Sequence, residues 1–285
     1  MSSVLRAAAV LAIGLTVLAP AFSDEPNEID QAFSRLYNFD FQGAHAALNR
    51  RISSNPEDPL PYAVRASADL FYELDRLSIL EGEFFSDDKR IADKKRGKPD
   101  PANRAKLFQA LDDAQSHAQA KLNTNPDDQN ALFASCIATG VLGDYTALVE
   151  KKQISSLSLV KRSTAYAQRL LRLNPQFYDA YLTTGTTEYL IGSLPFFVRW
   201  FVKVDNISGN KDVGMKTVQL VANQGHYLKP FAKILLAIAN LREKKPRQSE
   251  KLLVELSREF PENPLFKREL AQLSEKLRTG ELRGE

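Results

Sequence analysis

The chain has 285 residues, of which 44% are hydrophobic and 26% charged, and its formal net charge at pH 7 is +3. These proportions are ordinary for a folded protein and exclude a disordered chain. A net charge so close to zero gives no electrostatic basis for binding nucleic acid, and a single cysteine excludes an internal disulfide.

Residues 1–23 have the parts of a secretory signal peptide. A short start carrying Arg6 precedes an apolar run from Ala7 to Leu18, and small residues at Ala21 and Ser23 offer cleavage sites. The apolar run is about 12 residues long, whereas a membrane-spanning helix needs about 20. We therefore expect an exported, soluble protein, periplasmic or secreted, that is cleaved after about residue 21 or 23. An uncleaved N-terminal anchor is the alternative.

Two helical regions and a loop are predicted next along the chain. Apolar residues at helical spacing predict a first hairpin at about residues 26–54, and a helix from about Pro59 keeps one apolar face as far as Phe84. The stretch 86–106 is rich in charge and contains two prolines, so a loop insertion is predicted there. A solvated loop is the simplest interpretation, and a site for an anionic ligand or lipid headgroup is the alternative.

A second insertion, 193–211, interrupts the helical pattern. Phe196, Phe197, Trp200 and Phe201 fall on one face of a helix predicted over 194–204. This aromatic patch packs against the rest of the protein, lies in a membrane interface or contacts a partner, and the sequence leaves these three alternatives open.

The C-terminal part continues the helical pattern. Helices are predicted at about 227–242 and 247–259, and a third begins at Asn263–Leu265 and has the polar outer face of a terminal cap. Residues 279–285 are expected to fray.

A four-residue motif that contains a proline recurs at four joints between predicted helices. The four copies are Asn55–Asp58, Asn125–Asp128, Asn174–Phe177 and Phe260–Asn263. A proline just past a helix end cannot continue that helix, and polar residues after it accept the first free N–H groups of the next one. The prolines lie 70, 49 and 86 residues apart, which fits a unit of about 34 residues with insertions.

Residues of similar size also recur at fixed numbers of positions before and after these prolines. Small residues stand where the two helices of a hairpin would touch, and bulky residues stand six positions after the first three prolines. The small residues include Ala32, Ala44, Ala66, Ala114, Cys136, Ser163, Gly185, Ala237 and Ser249, and the bulky ones are Tyr62, Leu132 and Tyr181. On these residues the chain resembles the tetratricopeptide repeat (TPR) family over residues 24–278, although the tryptophan that the family prefers is absent from every unit.

The resemblance implies an all-α, right-handed superhelical solenoid of helical hairpins whose first helices line a concave groove for a partner protein. The family's groove positions, carried over to this sequence, are Asn130, Phe133, Ile137, Asp179, Leu182, Thr186 and Tyr189. We call these seven residues the inner row. Packing of its apolar members against neighbouring insertions is the alternative to contact with a partner.

The sequence contains no motif for catalysis or metal binding. His45, His117 and His226 are far apart, and no Cys/His cluster, phosphate-binding glycine loop or nucleophile elbow occurs. Cys136 occupies a packing position, so a buried and unreactive thiol is expected. No enzyme activity, metal or cofactor is therefore expected.

Together these features predict an exported scaffold or adaptor of the cell envelope that binds another protein through the inner row. A peripheral membrane-surface protein that uses the aromatic 194–204 helix and the basic part of the 86–106 loop is the alternative.

Overall fold

The structure is a computed structural model that describes residues 27–80, 97–194, 204 and 206–282. Over these residues the fold is all-helical, with eleven α-helices and no strand. The helices are α1 (Glu28–Tyr37), α2 (Phe41–Ser54), α3 (Pro59–Arg76), α4 (Pro101–Thr124), α5 (Gln129–Asp144), α6 (Gln153–Leu173), α7 (Tyr181–Ser193), α8 (Lys211–Gln224), α9 (Lys229–Arg242), α10 (Pro246–Glu259) and α11 (Pro264–Thr279). A π-helical turn, Tyr145–Val149, follows α5, and a 3-10 turn, Tyr178–Ala180, precedes α7.

The recurring proline joints begin new helices as the sequence predicts. The carboxylate of Asp58 accepts the backbone N–H of Leu60 at 3.1 Å, which caps α3. Asp128 caps α5 in the same way, accepting the N–H of Ala131 at 2.8 Å, and Asn263 caps α11. An N-terminal cap of this kind typically contributes about 1 kcal/mol to stability. Three of the four joints therefore specify a helix start locally, whereas the joint Asn174–Phe177 leads into the 3-10 turn without a side-chain cap.

Consecutive helices pack as hairpins, and each hairpin packs on the next. Helix α1 packs on α2, α3 on α4, α5 on α6, α7 on α8 and α9 on α10, while α11 packs on α10. Helices of successive hairpins also pack on each other. These pairs are α2 with α3, α4 with α5, α6 with α7 and α8 with α9, and α3 also packs on α5. Short loops between neighbours favour this arrangement, because the chain reverses direction at each joint.

The small residues at the predicted contact positions are buried between helices. A close approach occurs between α7 and α8, at Gly185 and Gly214. A Cβ atom added at Gly214 would lie 2.5 Å from the backbone nitrogen of Tyr189 and 2.8 Å from the carbonyl oxygen of Gly185. No side chain fits there, so these glycines set the distance between the two helices.

The first hairpin contacts the last one, so the described chain closes on itself. The hydroxyl of Tyr37 donates to the carbonyl of Tyr227 at 3.0 Å, and the amide of Asn263 donates to the carbonyl of Tyr37 at 2.7 Å. The backbone N–H of Glu262 also donates to the side chain of Asn38 at 3.2 Å. We call these contacts the seam. They join residues near the start of the described chain to residues about 190–230 positions later.

Helix α3 is shorter than predicted. It ends at Arg76, and Ser78 has a positive φ of 53° in the turn that follows. The N–H of Ile79 donates to the carbonyl of Leu74 at 2.8 Å, so Leu77 and Ile79 are buried in a turn rather than on a helix face. Because the buried residues of this turn are apolar like those of the helix before it, the sequence pattern predicts a helix that is longer than the one in the structure.

The loop predicted over 86–106 also ends earlier than expected. Helix α4 begins at Pro101, because proline is tolerated at a first helical position and Asp100 caps the helix through the N–H of Ala102 at 2.9 Å. The rest of that stretch up to residue 96 lies outside the described residues.

The remaining predictions concern the C-terminal tail and the aromatic insertion. Helix α11 runs to Thr279 and ends at Gly280, whose positive φ of 75° forms a left-handed cap. The helix thus extends one residue past Arg278, and Gly280 is its C-cap. Of the aromatic insertion, residues 195–203 and 205 lie outside the described residues, and so do the signal peptide and residues 283–285.

One described segment, Gln129–Val149, is long and apolar enough to cross a membrane by length and composition alone. It comprises α5 and the π-helical turn, and 67% of its apolar window is buried inside the protein. Such burial is typical of the central helix of a packed core.

Candidate functional site

The inner row is divided between two helices and is mostly buried. Asn130, Phe133 and Ile137 lie on α5, while Asp179 lies in the 3-10 turn before α7. The remaining members, Leu182, Thr186 and Tyr189, lie on α7. Phe133 is 1% exposed and Asp179 is 4% exposed, and Leu182 and Tyr189 are also buried. Asn130, Ile137 and Thr186 are partly exposed.

Phe133 lies in an aromatic cluster at the centre of the fold. Its ring centroid is 4.9 Å from that of Phe177 and 6.2 Å from that of Tyr227. The ring of Tyr227 also stacks on that of Phe33 in α1, at 5.1 Å. Helix α1, helix α5 and the joint before α9 therefore share one core, and the chain's own side chains occupy the space around Phe133.

Asp179 is engaged by the loop between α8 and α9. Its carboxylate accepts the backbone N–H groups of His226 at 3.0 Å, Tyr227 at 3.1 Å and Leu228 at 3.0 Å. Burial raises the pKa of Asp179 although these three bonds act in the opposite direction. A Cβ atom at Gly225 would lie 3.0 Å from the Asp179 carboxylate, so this loop approaches the acid closely. We call this arrangement the Asp179 clamp.

The polar ends of the inner row also have partners within the chain. The amide of Asn130 donates to the carboxylate of Asp58 at 2.8 Å, which ties α5 to the preceding joint. The hydroxyl of Tyr189 donates to Glu243 at 3.2 Å, and the ammonium of Lys211 donates to the same carboxylate at 2.7 Å. The hydrogen bond from Lys211 is the main reason that the pKa of Glu243 is lowered.

Tyr227 and Phe177 are central residues that the sequence pattern did not identify. Phe177 lies in a joint, and Tyr227 lies just before α9, which begins at Lys229 although a helix is predicted from about residue 227. Tyr227 meets Phe33 although 194 residues separate them in the chain. The only local signal is an aromatic residue two positions after the glycine that ends α8, and this signal does not indicate where the ring packs.

A second buried carboxylate holds the other end of α8. Glu188 accepts the backbone N–H groups of Ser208 at 3.0 Å and Asn210 at 3.1 Å, and also the hydroxyl of Ser208. Asn210 in turn caps α8. Asp179 and Glu188 thus fix the loops at both ends of α8.

Cys136 is buried, as expected from its packing position. Its sulfur lies 3.2 Å from the hydroxyl of Thr183 and 3.5 Å from that of Ser163. Burial raises the pKa of the thiol, which reduces the thiolate fraction and with it the reactivity.

The three histidines lie in separate places, each near one acid. His45 is 3.2 Å from Asp69, His117 is 3.4 Å from Glu57, and His226 is 2.7 Å from Asp30. Over the described ranges, no group of three or more His, Cys, Asp or Glu side chains is placed to hold a metal ion.

The aromatic patch Phe196, Phe197, Trp200 and Phe201 lies outside the described residues. The helices on either side of it carry two of the most exposed apolar side chains in the described protein. Leu190 on α7 is 53% exposed, and Val213 on α8 is 48% exposed.

No protein-family model matches the chain, and the curated proteins include no significant match.

Proposed function

We propose that the protein is an exported interaction module of the cell envelope, built as a TPR-like solenoid, that binds a partner protein and carries out no chemistry. The observation that supports this most directly is the repeated construction of the fold: capped joints at Asp58, Asp128 and Asn263, with small residues buried where helices meet. Stacked helical hairpins of this kind present long rows of side chains to an extended segment or helix of another protein.

We propose the inner row as the partner-binding face. Four of its members, Phe133, Asp179, Leu182 and Tyr189, are buried, so the contact with another protein rests on the partly exposed Asn130, Ile137 and Thr186. The hydroxyl of Thr186 is buried without a hydrogen-bond partner among the described residues.

Crosslinking in envelope extract tests this proposal. Wild-type protein is compared with a double variant, Ile137→Gln and Thr186→Gln, after circular dichroism shows that both are folded. Ile154→Gln is the matched control, because Ile154 is 86% exposed on α6 and lies outside the inner row. We expect one protein to be captured by the wild type and by Ile154→Gln but lost from the double variant. Equal capture by all three would contradict binding through the inner row.

Attachment to a membrane surface is the second candidate function. The exposed Leu190 and Val213 favour it, because each is a large apolar side chain open to solvent on one of the two helices between which the aromatic residues lie in the sequence. Flotation with vesicles of phosphatidylethanolamine and phosphatidylglycerol tests it, using a variant in which Phe197, Trp200 and Phe201 are replaced by serine. Wild-type protein that floats and a variant that does not would support this function, and wild-type protein that stays at the bottom would rule it out.

A further inference from the structure

A polar cleft lies on the side of α5 away from the inner row. Helices α4 and α6 form its walls and α5 forms its floor, and the cleft has a volume of about 520 Å³. Ligand sites typically measure roughly 300–1,000 Å³, so the cleft is of a suitable size for a short ligand. We call it the outer cleft.

The floor of the outer cleft offers two hydroxyl groups from α5. Ser135 is 5% exposed and Thr139 is 1% exposed, and both line the cleft. Neither hydroxyl makes a hydrogen bond to another described residue. Neither hydroxyl is a fully buried polar atom without a partner, so both reach the surface of the cleft, where a ligand can donate or accept a hydrogen bond.

The cleft carries positive charge and no carboxylate. Arg162 on α6 is the one charged residue that lines it, and no ion pair joins its guanidinium to any described acid. Tyr166 lies one turn further along the same wall. Guanidinium groups bind carboxylates through two parallel hydrogen bonds, so this wall is suited to an acidic ligand.

The opposite wall is a row of side-chain amides. Gln115, Gln119 and Asn123 line the cleft at successive four-residue steps of α4. Four residues of an α-helix rise about 6 Å, and two residues of an extended chain advance about 6.6 Å. The amides therefore keep nearly in step with the backbone of an extended peptide over two or three repeats.

Each amide offers one donor group and one acceptor, which matches the carbonyl and the N–H of a peptide unit. The Gln119 amide already donates to the Asn123 carbonyl at 2.7 Å, which fixes the orientation of both side chains. The oxygen of Gln119 and the NH₂ group of Asn123 remain for a ligand.

We propose that the outer cleft binds a short, extended and acidic peptide segment. The backbone of the segment runs along the amides of α4, its carboxylate pairs with Arg162, and the hydroxyls of Ser135 and Thr139 contact it from the floor. The repeat distance of the amides and the unpaired cation favour this ligand over an acidic sugar, which would share the carboxylate but not the backbone spacing. This site goes beyond the proposed function, because it is separate from the inner row and does not require that the inner row bind a partner.

Selection from a phage library of random octapeptides tests the proposal with purified full-length protein. We expect the selected peptides to be enriched in Asp and Glu. Arg162→Glu should lose this enrichment and select Lys and Arg instead, because the charge on the cleft wall is reversed. Arg172→Glu is the matched control, since Arg172 is exposed on the same helix but does not line the cleft.

Fluorescence anisotropy with a labelled peptide from the wild-type selection then measures affinity. We expect Arg162→Glu to weaken binding about tenfold or more, Ala120→Trp to block the cleft, and Arg172→Glu to leave binding unchanged. Absence of enrichment, or peptide binding that Arg162→Glu does not alter, would overturn the proposal. Binding of digalacturonate at the cleft without any peptide enrichment would overturn it as well and would assign the cleft to an acidic sugar. Neither result depends on the crosslinking test of the inner row.

Discussion

The inner and outer sides of the fold around helix α5 differ in how many of their side chains make contacts within the protein. On the inner side, Phe133 is enclosed by aromatic rings and Asp179 accepts three backbone N–H groups. On the outer side, the hydroxyls of Ser135 and Thr139 have no hydrogen bond to a described residue. The buried residues of the inner side therefore contribute to stability, whereas the outer side, like the partly exposed members of the inner row, retains capacity for recognition.

Closure of the chain at the seam explains this difference. An open array of hairpins would leave its inner side to solvent or to a partner. Here the contact of Tyr37 with Tyr227, Phe260 and Asn263 brings the first hairpin onto the last one and supplies the inner side with rings from the chain itself. Variants on the two sides should consequently differ in stability and in binding.

Replacement of Phe133 by alanine should have the largest effect on stability. Phe133 is 1% exposed and contacts rings from two other parts of the chain, so the variant leaves a cavity at the centre. We expect the free energy of unfolding to fall by about 3–5 kcal/mol, measured by urea denaturation. Phe133→Leu keeps much of the volume and should cost clearly less. A loss below about 1 kcal/mol for the alanine variant would show that the inner side does not stabilise the fold.

Asn263→Ala should have the next largest effect, because Asn263 serves both a helix and the seam. Its oxygen caps α11 through the N–H of Leu265 at 2.9 Å, and its amide donates to the carbonyl of Tyr37 at 2.7 Å. We expect a loss of about 2–3 kcal/mol in urea denaturation. Asp128→Ala is the matched control: Asp128 caps α5 and should cost about 1 kcal/mol. Equal losses in both variants would argue that the seam contributes nothing to stability.

The sequence predicts the features that depend on neighbouring residues. Asp58 and Asp128 follow a proline and cap the next helix, and both the joints and the caps were readable from that pattern. Gly185 was expected at a close helix contact, and it lies at one. In contrast, the start of α4 at Pro101 was missed, because a proline that ends one helix can equally begin the next.

The features that depend on distant residues were not predictable. Nothing in the local sequence indicates that Tyr37 meets Asn263, which lies 226 residues later. The groove offset of Asp179 predicts contact with a partner and gives no sign that its carboxylate accepts N–H groups that follow 47–49 residues later. The outer cleft is formed by three helices together, so its lining also has no signature in a single stretch of sequence.

The Asp179 clamp should make stability depend on pH. Burial raises the pKa of this carboxyl above its value of about 3.9 in an unfolded chain, so the folded protein binds the proton more readily. By linkage, the stabilising contribution of this group is fully present below the unfolded pKa and is lost as pH rises through the folded pKa. We expect the stability of the wild type, relative to Asp179→Asn, to increase as pH falls from 7 towards 4.

Urea denaturation of both proteins at several pH values measures this difference, and subtraction removes the contributions of other titrating groups. Asn keeps the size of the side chain and one acceptor oxygen but cannot titrate, so it is the appropriate reference. A difference that is constant with pH, or one that grows as pH rises, would contradict the raised pKa.

The smallest effect on stability is expected for Arg162→Glu on the outer side. Arg162 is exposed and has no ion-pair partner among the described residues, so its replacement removes no intramolecular contact. Surface changes of this kind usually alter the free energy of unfolding by no more than about 0.5 kcal/mol. The same substitution should weaken acidic-peptide binding about tenfold or more, whereas Phe133→Leu should leave peptide binding intact wherever the protein is folded. A large loss of stability in Arg162→Glu would place this residue among the structural contacts, and the separation between a stabilising inner side and a recognising outer side would no longer hold.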